Sequence, residues 1–119
     1  MKITIPISVG ELLDKISILQ IKSKFTDNHF VQKELEDLIE ISQENQVYVQ
    51  DDINLLLEIN QKLWDIEDEL RLFEKKCLFN EDFVKLARLV YTYNDQRANV
   101  KKNINQKYGS EYQEVKCYA

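Results

Sequence analysis

The sequence contains one polar interruption in an otherwise apolar helical stripe, at Asn94, Arg97 and Lys101. Apolar residues precede and follow it at helical spacing, so these three side chains are predicted to face the protein interior. A buried guanidinium needs a carboxylate partner. For Arg97 the candidates are Asp65 and Asp14, and Asn94 and a tyrosine hydroxyl are expected to complete its hydrogen bonds.

Aromatic and cationic side chains near this interruption form a candidate ligand pocket. If the chain turns back on itself near residue 79, Asn94 is expected to lie near Trp64, and Tyr93 near Asp65. An aromatic lining with nearby positive charge suits a small anionic ligand. The candidate pocket residues are Asp14, Lys15, Trp64, Asp65, Tyr91, Tyr93, Asn94, Arg97 and Lys101. The alternative is a packed polar network that fixes the register of the helices.

Acids at helical spacing allow a second chemistry, metal-dependent hydrolysis. Asp65 and Asp68 are three residues apart, and Asp95 is expected across the hairpin. Mg²⁺ prefers such oxygen ligands, and all-α nucleotide pyrophosphohydrolases use carboxylates at this spacing, but their pairs are rich in glutamate. The chain has no nucleophile motif and no phosphate-binding glycine loop, and its one histidine, His29, has no neighbouring metal ligands in sequence. We therefore expect no cofactor, with Mg²⁺ as the alternative.

Composition and charge restrict the class of protein. The chain has 119 residues, of which 44% are hydrophobic and 31% charged, which suits one soluble domain spanning residues 1–119. Its net charge of −5 disfavours nucleic acid as a partner. Cys77 and Cys117 follow no disulfide or metal-binding pattern, so we expect reduced cysteines and a cytoplasmic location. No apolar run approaches the ~20 residues that a membrane span needs.

The first half of the chain predicts two helices. The first should run from Val9 to about Phe25, with Ser8 as its N-cap and Glu11 completing a capping box. It is apolar on two sides, which is typical of a helix inside a bundle. The second helix should follow and end near Glu44.

The second half predicts a long helical hairpin. Its first helix should be capped by Asp51 or Asp52, and its second by Asn80 at the start and Gly109 at the end. The short connection between them predicts antiparallel packing. The fold class is therefore mainly α, an antiparallel bundle of three to four helices. The clearest apolar stripe consists of Leu56, Ile59, Leu63, Ile66, Leu70, Phe73 and Cys77.

The two ends of the chain alternate apolar and polar residues, which is typical of strands. Residues 2–7 and 113–118 are predicted to pair as a small ribbon. Two strands alone are marginally stable, so the ribbon should lean on the bundle or be shared between subunits. Ile53, Leu57 and Trp64 form a second apolar strip on the third helix. We therefore expect a homodimer or a higher oligomer.

Four stretches, ISVGELLDKISILQIK, LWDIEDELR, FVKLARLVYTYNDQRANVKKNIN and GSEYQEVKCY, resemble a family of small uncharacterised proteins from bacteria and their phages. The similarity spans nearly the whole chain. The resemblance implies no agreed catalytic residues, and some members lie near surface-polysaccharide genes. We expect a non-enzymatic binding or assembly module that works beside surface-polysaccharide enzymes. It should bind a small anionic ligand or a partner protein. The alternative is a magnesium-dependent nucleotide or sugar-nucleotide pyrophosphohydrolase.

Overall fold

The structure, a computed structural model, describes residues 1–118 and contains four helices. They are α1 (Val9–Lys22), α2 (His29–Glu44), α3 (Gln50–Lys75) and α4 (Glu81–Tyr108). Together they take up about 71% of the chain, and α3 packs against α4 as an antiparallel hairpin. The predicted mainly α fold and the predicted hairpin are thus confirmed.

The helices are arranged around α1. This helix packs against the other three, with the α3–α4 hairpin on one side and α2 on another. Because α1 has apolar residues on two sides, it can bury both, as its pattern predicted. The buried hydrophobic residues that form the core are Leu12, Leu13, Ile16, Leu19, Ile21, Val47, Ile53, Leu56, Ile59, Leu63, Ile66 and Ile104.

The first turn of α1 is fixed to the end of α4 by hydrogen bonds. Ser8 Oγ accepts from the backbone N–H of Glu11 at 3.2 Å, as predicted for an N-cap. The N–H of Val9 donates to Ser110 Oγ at 3.1 Å, and that of Gly10 donates to Asn105 Oδ1 at 2.6 Å. Backbone donors that a helix start leaves unpaired are therefore satisfied by α4 and the residue that follows its cap.

Gly10 permits this close approach. A Cβ atom there would lie 2.6 Å from the carbonyl oxygen of Lys101 and 2.9 Å from Asn105 Oδ1. Any side chain would push α1 away from α4 and break the hydrogen bond between Gly10 and Asn105.

Three helices end in the same way, with one residue in the left-handed region. These residues are Gln46 (φ 59°), Cys77 (φ 52°) and Gly109 (φ 63°). In each case the next N–H bonds back to a carbonyl five residues earlier, for example Ser110 to Asn105 at 2.8 Å. Gly109 is the predicted C-cap; the other two are not glycine and are strained there.

The predicted terminal ribbon is wrong, since residues 2–7 and 113–118 contain no strand. Alternation gives a strand only where one face is buried and a neighbour supplies hydrogen bonds. Here Ile3 and Ile5 are 75% and 66% exposed, so neither condition is met.

Two helix boundaries also differ from the prediction. α1 ends at Lys22 and leaves Phe25 outside it. The N-cap of α3 is Val49, which makes no side-chain cap bond. Asp52 is used differently, because it accepts from Lys107 Nζ at 3.1 Å and Tyr108 Oη at 2.9 Å and so ties α3 to α4.

The strip on α3 that suggested self-association is covered within the molecule. Ile53 is fully buried, and Leu57 packs against the core. The ring of Trp64 stacks on that of Phe25, with centroids 5.3 Å apart and planes 5° from parallel. Ile53 and Leu57 are therefore not part of an open surface, and Trp64 is covered only in part.

No helix of the described residues is both long enough and apolar enough to cross a membrane.

Candidate functional site

A buried carboxylate lies at the centre of the polar cluster between α1, α3 and α4. The side chain of Asp14 on α1 is 0% exposed. Arg97 Nε lies 3.1 Å from both carboxylate oxygens, and its Nη2 donates to Oδ2 at 2.6 Å. Of the two acids expected to pair with Arg97, the structure therefore selects Asp14.

Neighbouring polar groups fix the Asp14 carboxylate further. The side-chain nitrogen of Asn60 donates to Asp14 Oδ1 at 2.9 Å and to Ser17 Oγ at 2.8 Å. The Ser17 hydroxyl donates to the backbone carbonyl of Asp14 at 2.7 Å. Because every member has a partner, the cluster is rigid and its buried charge is compensated.

Arg97 keeps donors that Asp14 does not use. A guanidinium has five N–H groups. The Nε–H and one N–H of Nη2 bond Asp14, and Nη1 lies 3.4 Å from Asn94 Oδ1. One N–H on each terminal nitrogen is left over. The expected tyrosine hydroxyl does not bond to Arg97 anywhere in residues 1–118. Burial lowers the pKa of Arg97, but the bonds and charge of Asp14 outweigh it and leave the pKa raised, so the guanidinium stays charged.

Lys101 forms a second ionic group one turn further along α4. Its Nζ bonds Glu11 Oε2 at 2.6 Å and Glu114 Oε2 at 3.1 Å, and lies 4.0 Å from Asp14 Oδ2. Burial lowers the pKa of Lys101, but these three acids raise it by more. Lys101 therefore holds the start of α1 and the segment after α4 against α4. Glu11 makes this bond in place of the return bond of a capping box.

A groove of roughly 480 Å³ opens beside the Asp14–Arg97 pair, between α1, α3 and α4. Apolar side chains form part of its wall: Ile18, Ile21, Leu63 and Trp64. Since Trp64 is held by its stack on Phe25, its ring gives the groove a fixed aromatic wall. We call this site the α1 groove.

The remaining lining of the α1 groove is polar and carries both signs of charge. It consists of Asn60, Glu67, Asp68, Arg71, Asn94 and Arg97. Arg71 is exposed, and its side chain has no hydrogen bond or ion pair with any residue from 1 to 118. The groove thus has one unpaired arginine and a second arginine with spare donors.

The structure brings together some of the predicted pocket residues. Asp14, Asn94, Arg97 and Lys101 form one cluster, and Trp64 lines the α1 groove with two of them.

Other predicted pocket residues lie elsewhere. Lys15 is exposed and lines no part of the α1 groove. Asp65 is exposed and accepts a hydrogen bond from Gln61 at 3.1 Å. Tyr91 is 55% exposed, and Lys62 Nζ lies 5.5 Å from the centre of the Tyr93 ring.

Asp65 lies on the solvent side of α3. Its neighbours Leu63 and Ile66 are buried, whereas Asp65 is exposed. Arg97 bonds Asp14 on α1 instead.

The three acids considered as magnesium ligands are not brought together. Asp68 lines the α1 groove, whereas Asp65 and Asp95 do not. Across residues 1–118, no three His, Cys, Asp or Glu side chains are grouped as a metal ion would require. The geometry therefore gives no support to that ligand set.

Glu11, Asn60 and Arg71 are among the residues of the site that sequence reasoning missed. Asn60 had a readable signal, because it stands between Leu56 and Leu63 at helical spacing within the apolar stripe of α3. Arg71 had none, since an arginine on a charged helix face is ordinary.

Comparison with known proteins gives a family and nothing further. Neither a curated protein nor a solved structure matches the chain. The match that exists covers residues 1–119 and is to a family of unknown function, DUF6165. The chain belongs to this family.

Proposed function

We propose that the protein is a non-enzymatic binding module whose α1 groove holds a small polar ligand with one anionic group. The observation that supports this most directly is the pair of arginines in the groove. Arg97 has donors left after bonding Asp14 and Asn94, and Arg71 has no partner in residues 1–118. A groove of roughly 480 Å³ is within the usual range for small-ligand sites.

The rigidity of the polar cluster favours binding. Asp14 is fully buried and holds Arg97 through two nitrogens. An arginine held in this way loses little conformational freedom when it bonds a ligand, so less of the binding energy is spent on ordering it. Asn94, bonded to the same guanidinium, supplies an amide at the same place.

The lining of the groove restricts the class of ligand. Glu67 and Asp68 balance the charges of Arg71 and Arg97, so a ligand with several anionic groups would meet repulsion. Carboxylates and amides suit hydroxyl groups, while Trp64 offers an apolar wall for a ring. A sugar that carries one phosphate or carboxylate meets these conditions best.

Such a ligand agrees with a role beside surface-polysaccharide enzymes, which the resemblance to small bacterial and phage proteins led us to expect. We place this role in the cytoplasm, because Cys77 and Cys117 are both free and exposed and stay reduced there.

Calorimetric titration with glucose 1-phosphate, glucose and inorganic phosphate tests the proposal. We expect saturable binding of glucose 1-phosphate that is stronger than that of either fragment. Arg71→Ala should weaken it by about tenfold or more, since a hydrogen bond to a charged group contributes about 1.5–3 kcal/mol. Lys75→Ala, one turn further along α3 and outside the groove, is the matched control and should bind normally. Absence of binding by all three compounds, or equal loss in both variants, would contradict the proposal.

A further inference from the structure

The hairpin continues well beyond the part that α1 covers. No residue from 67 to 100 is buried, although this range contains the ends of both long helices. Within residues 1–118, α1 is the only helix outside the pair that packs on α3 or α4. At the tip of the hairpin, the side chains of α3 are thus covered only by α4, and those of α4 only by α3. This is unusual for so apolar a segment.

A second groove, of roughly 570 Å³, lies at this tip and shares no lining residue with the α1 groove. Its apolar residues are Leu72, Phe73, Leu78 and Leu86. Leu72 is 53% exposed and Leu78 is 45% exposed. Leu89, three residues after Leu86, extends the same side of α4 by helical periodicity and is also exposed.

The charged residues of this groove are balanced in sign. They are Glu69, Lys76, Asp82 and Lys85. None of the four forms an ion pair or a side-chain hydrogen bond with another residue in the range 1–118. Two acids and two bases therefore surround an apolar centre with their charges free. We call the apolar centre and these four residues the tip face.

We infer that the tip face docks against the tip face of a second copy of this chain, so that two hairpins form a four-helix bundle. A two-fold interface places the same patch on both subunits, so the patch must complement itself. Equal numbers of acids and bases satisfy this condition, because each acid can meet a base of the other copy. A partner whose charges are all of one sign would place two of these four residues next to charges of their own sign.

The composition of the tip face agrees with this pairing. Apolar residues at the tip and charged residues around them match the usual core and rim.

Light scattering at tens of micromolar gives the first test. We expect a mass near 28.4 kDa, twice the chain mass of 14.2 kDa. Leu72→Lys should give the monomer mass, while Val84→Lys should leave the dimer intact. Val84 is a matched control, since it is 50% exposed at the same end of the hairpin but does not line the tip face. A monomeric wild type, or a dimer that Leu72→Lys does not affect, would overturn the inference.

Exchange of the charges gives a second test that separates a copy of this chain from any other partner. One variant, Glu69→Lys with Asp82→Lys, makes the rim entirely positive; another, Lys76→Glu with Lys85→Glu, makes it entirely negative. Each alone should be a monomer with normal circular dichroism, and an equimolar mixture should recover the 28.4 kDa mass, twice 14.2 kDa. If either variant dimerises alone, or the mixture stays monomeric, the tip face is not the self-association surface.

Discussion

Replacement of Arg97 by alanine would leave the buried Asp14 carboxylate without its main partner. The variant keeps the hydrogen bond from Asn60 at 2.9 Å and Lys101 at 4.0 Å, so the charge is not wholly uncompensated. Removing one member of a buried pair typically costs ~3–5 kcal/mol. Because the Arg97 side chain is 26% exposed and water can reach the space it leaves, we take the lower end, about 3 kcal/mol.

That cost translates into a large change in melting temperature. A chain of 119 residues falls between two size classes, so 1 kcal/mol should shift the melting temperature by about 3–6 °C. Arg97→Ala should therefore melt about 9–18 °C below the wild type. Thermal unfolding followed by circular dichroism at 222 nm measures this directly, with urea unfolding as an independent check on the free energy.

Lys33→Ala is the matched control for loss of a cation from an ion pair. Its partner Asp37 is 3.7 Å away, and the side chain of Lys33 is 69% exposed. Such surface pairs contribute ~0–1 kcal/mol, so this variant should melt within a few degrees of the wild type. If Arg97→Ala melts as the control does, Arg97 does not stabilise the fold and the account of the polar cluster is wrong.

Three further predictions concern the ends of the helices and the ionic contacts. Gly10→Ala should lower the free energy of unfolding by about 1–3 kcal/mol, since its Cβ would overlap the backbone of α4; unchanged urea unfolding would contradict the close approach. Cys77→Gly should raise the free energy of unfolding by about 0.5–1 kcal/mol and Gly109→Ala should lower it by about 1–2 kcal/mol, because both positions are left-handed; shifts of equal sign would count against this. The pKa of Lys101 in the folded protein is above the ordinary value of 10.5. The ionic contacts of Lys101 therefore stabilise the fold fully below pH 10.5, and this stabilisation is lost as the pH rises through the folded pKa. Urea unfolding across this range should show falling stability, less steeply in Lys101→Arg; rising stability would refute the assignment.

Helices and caps were the most predictable part of the fold, because their signals are local. Ser8, Asn80 and Gly109 take the cap positions that their residue types favour. The ribbon failed because alternation in residues 2–7 carries no information about a partner strand. Asp52 does not cap α3, because its carboxylate bonds Lys107 and Tyr108 on α4 instead.

The candidate site was predictable only in part. Arg97 was expected to face an acid because it interrupts an apolar stripe, and Asp14 was one of the two acids proposed. The choice between Asp14 and Asp65 depended on how α1 and α3 are rotated about their axes against α4, which sequence patterns do not define. The α1 groove depends on three helices at once, so its lining follows from packing alone.

The central claim is that the α1 groove binds a small ligand with one anionic group. Trp64 lines this groove and is the only tryptophan in the chain, so its indole N–H gives a single resonance in a proton–nitrogen correlation spectrum. Titration with millimolar glucose 1-phosphate should shift that resonance saturably in the wild type and in Lys75→Ala, and far less in Arg71→Ala. A resonance that stays unmoved in the wild type, or one that moves equally in all three proteins, would contradict the claim.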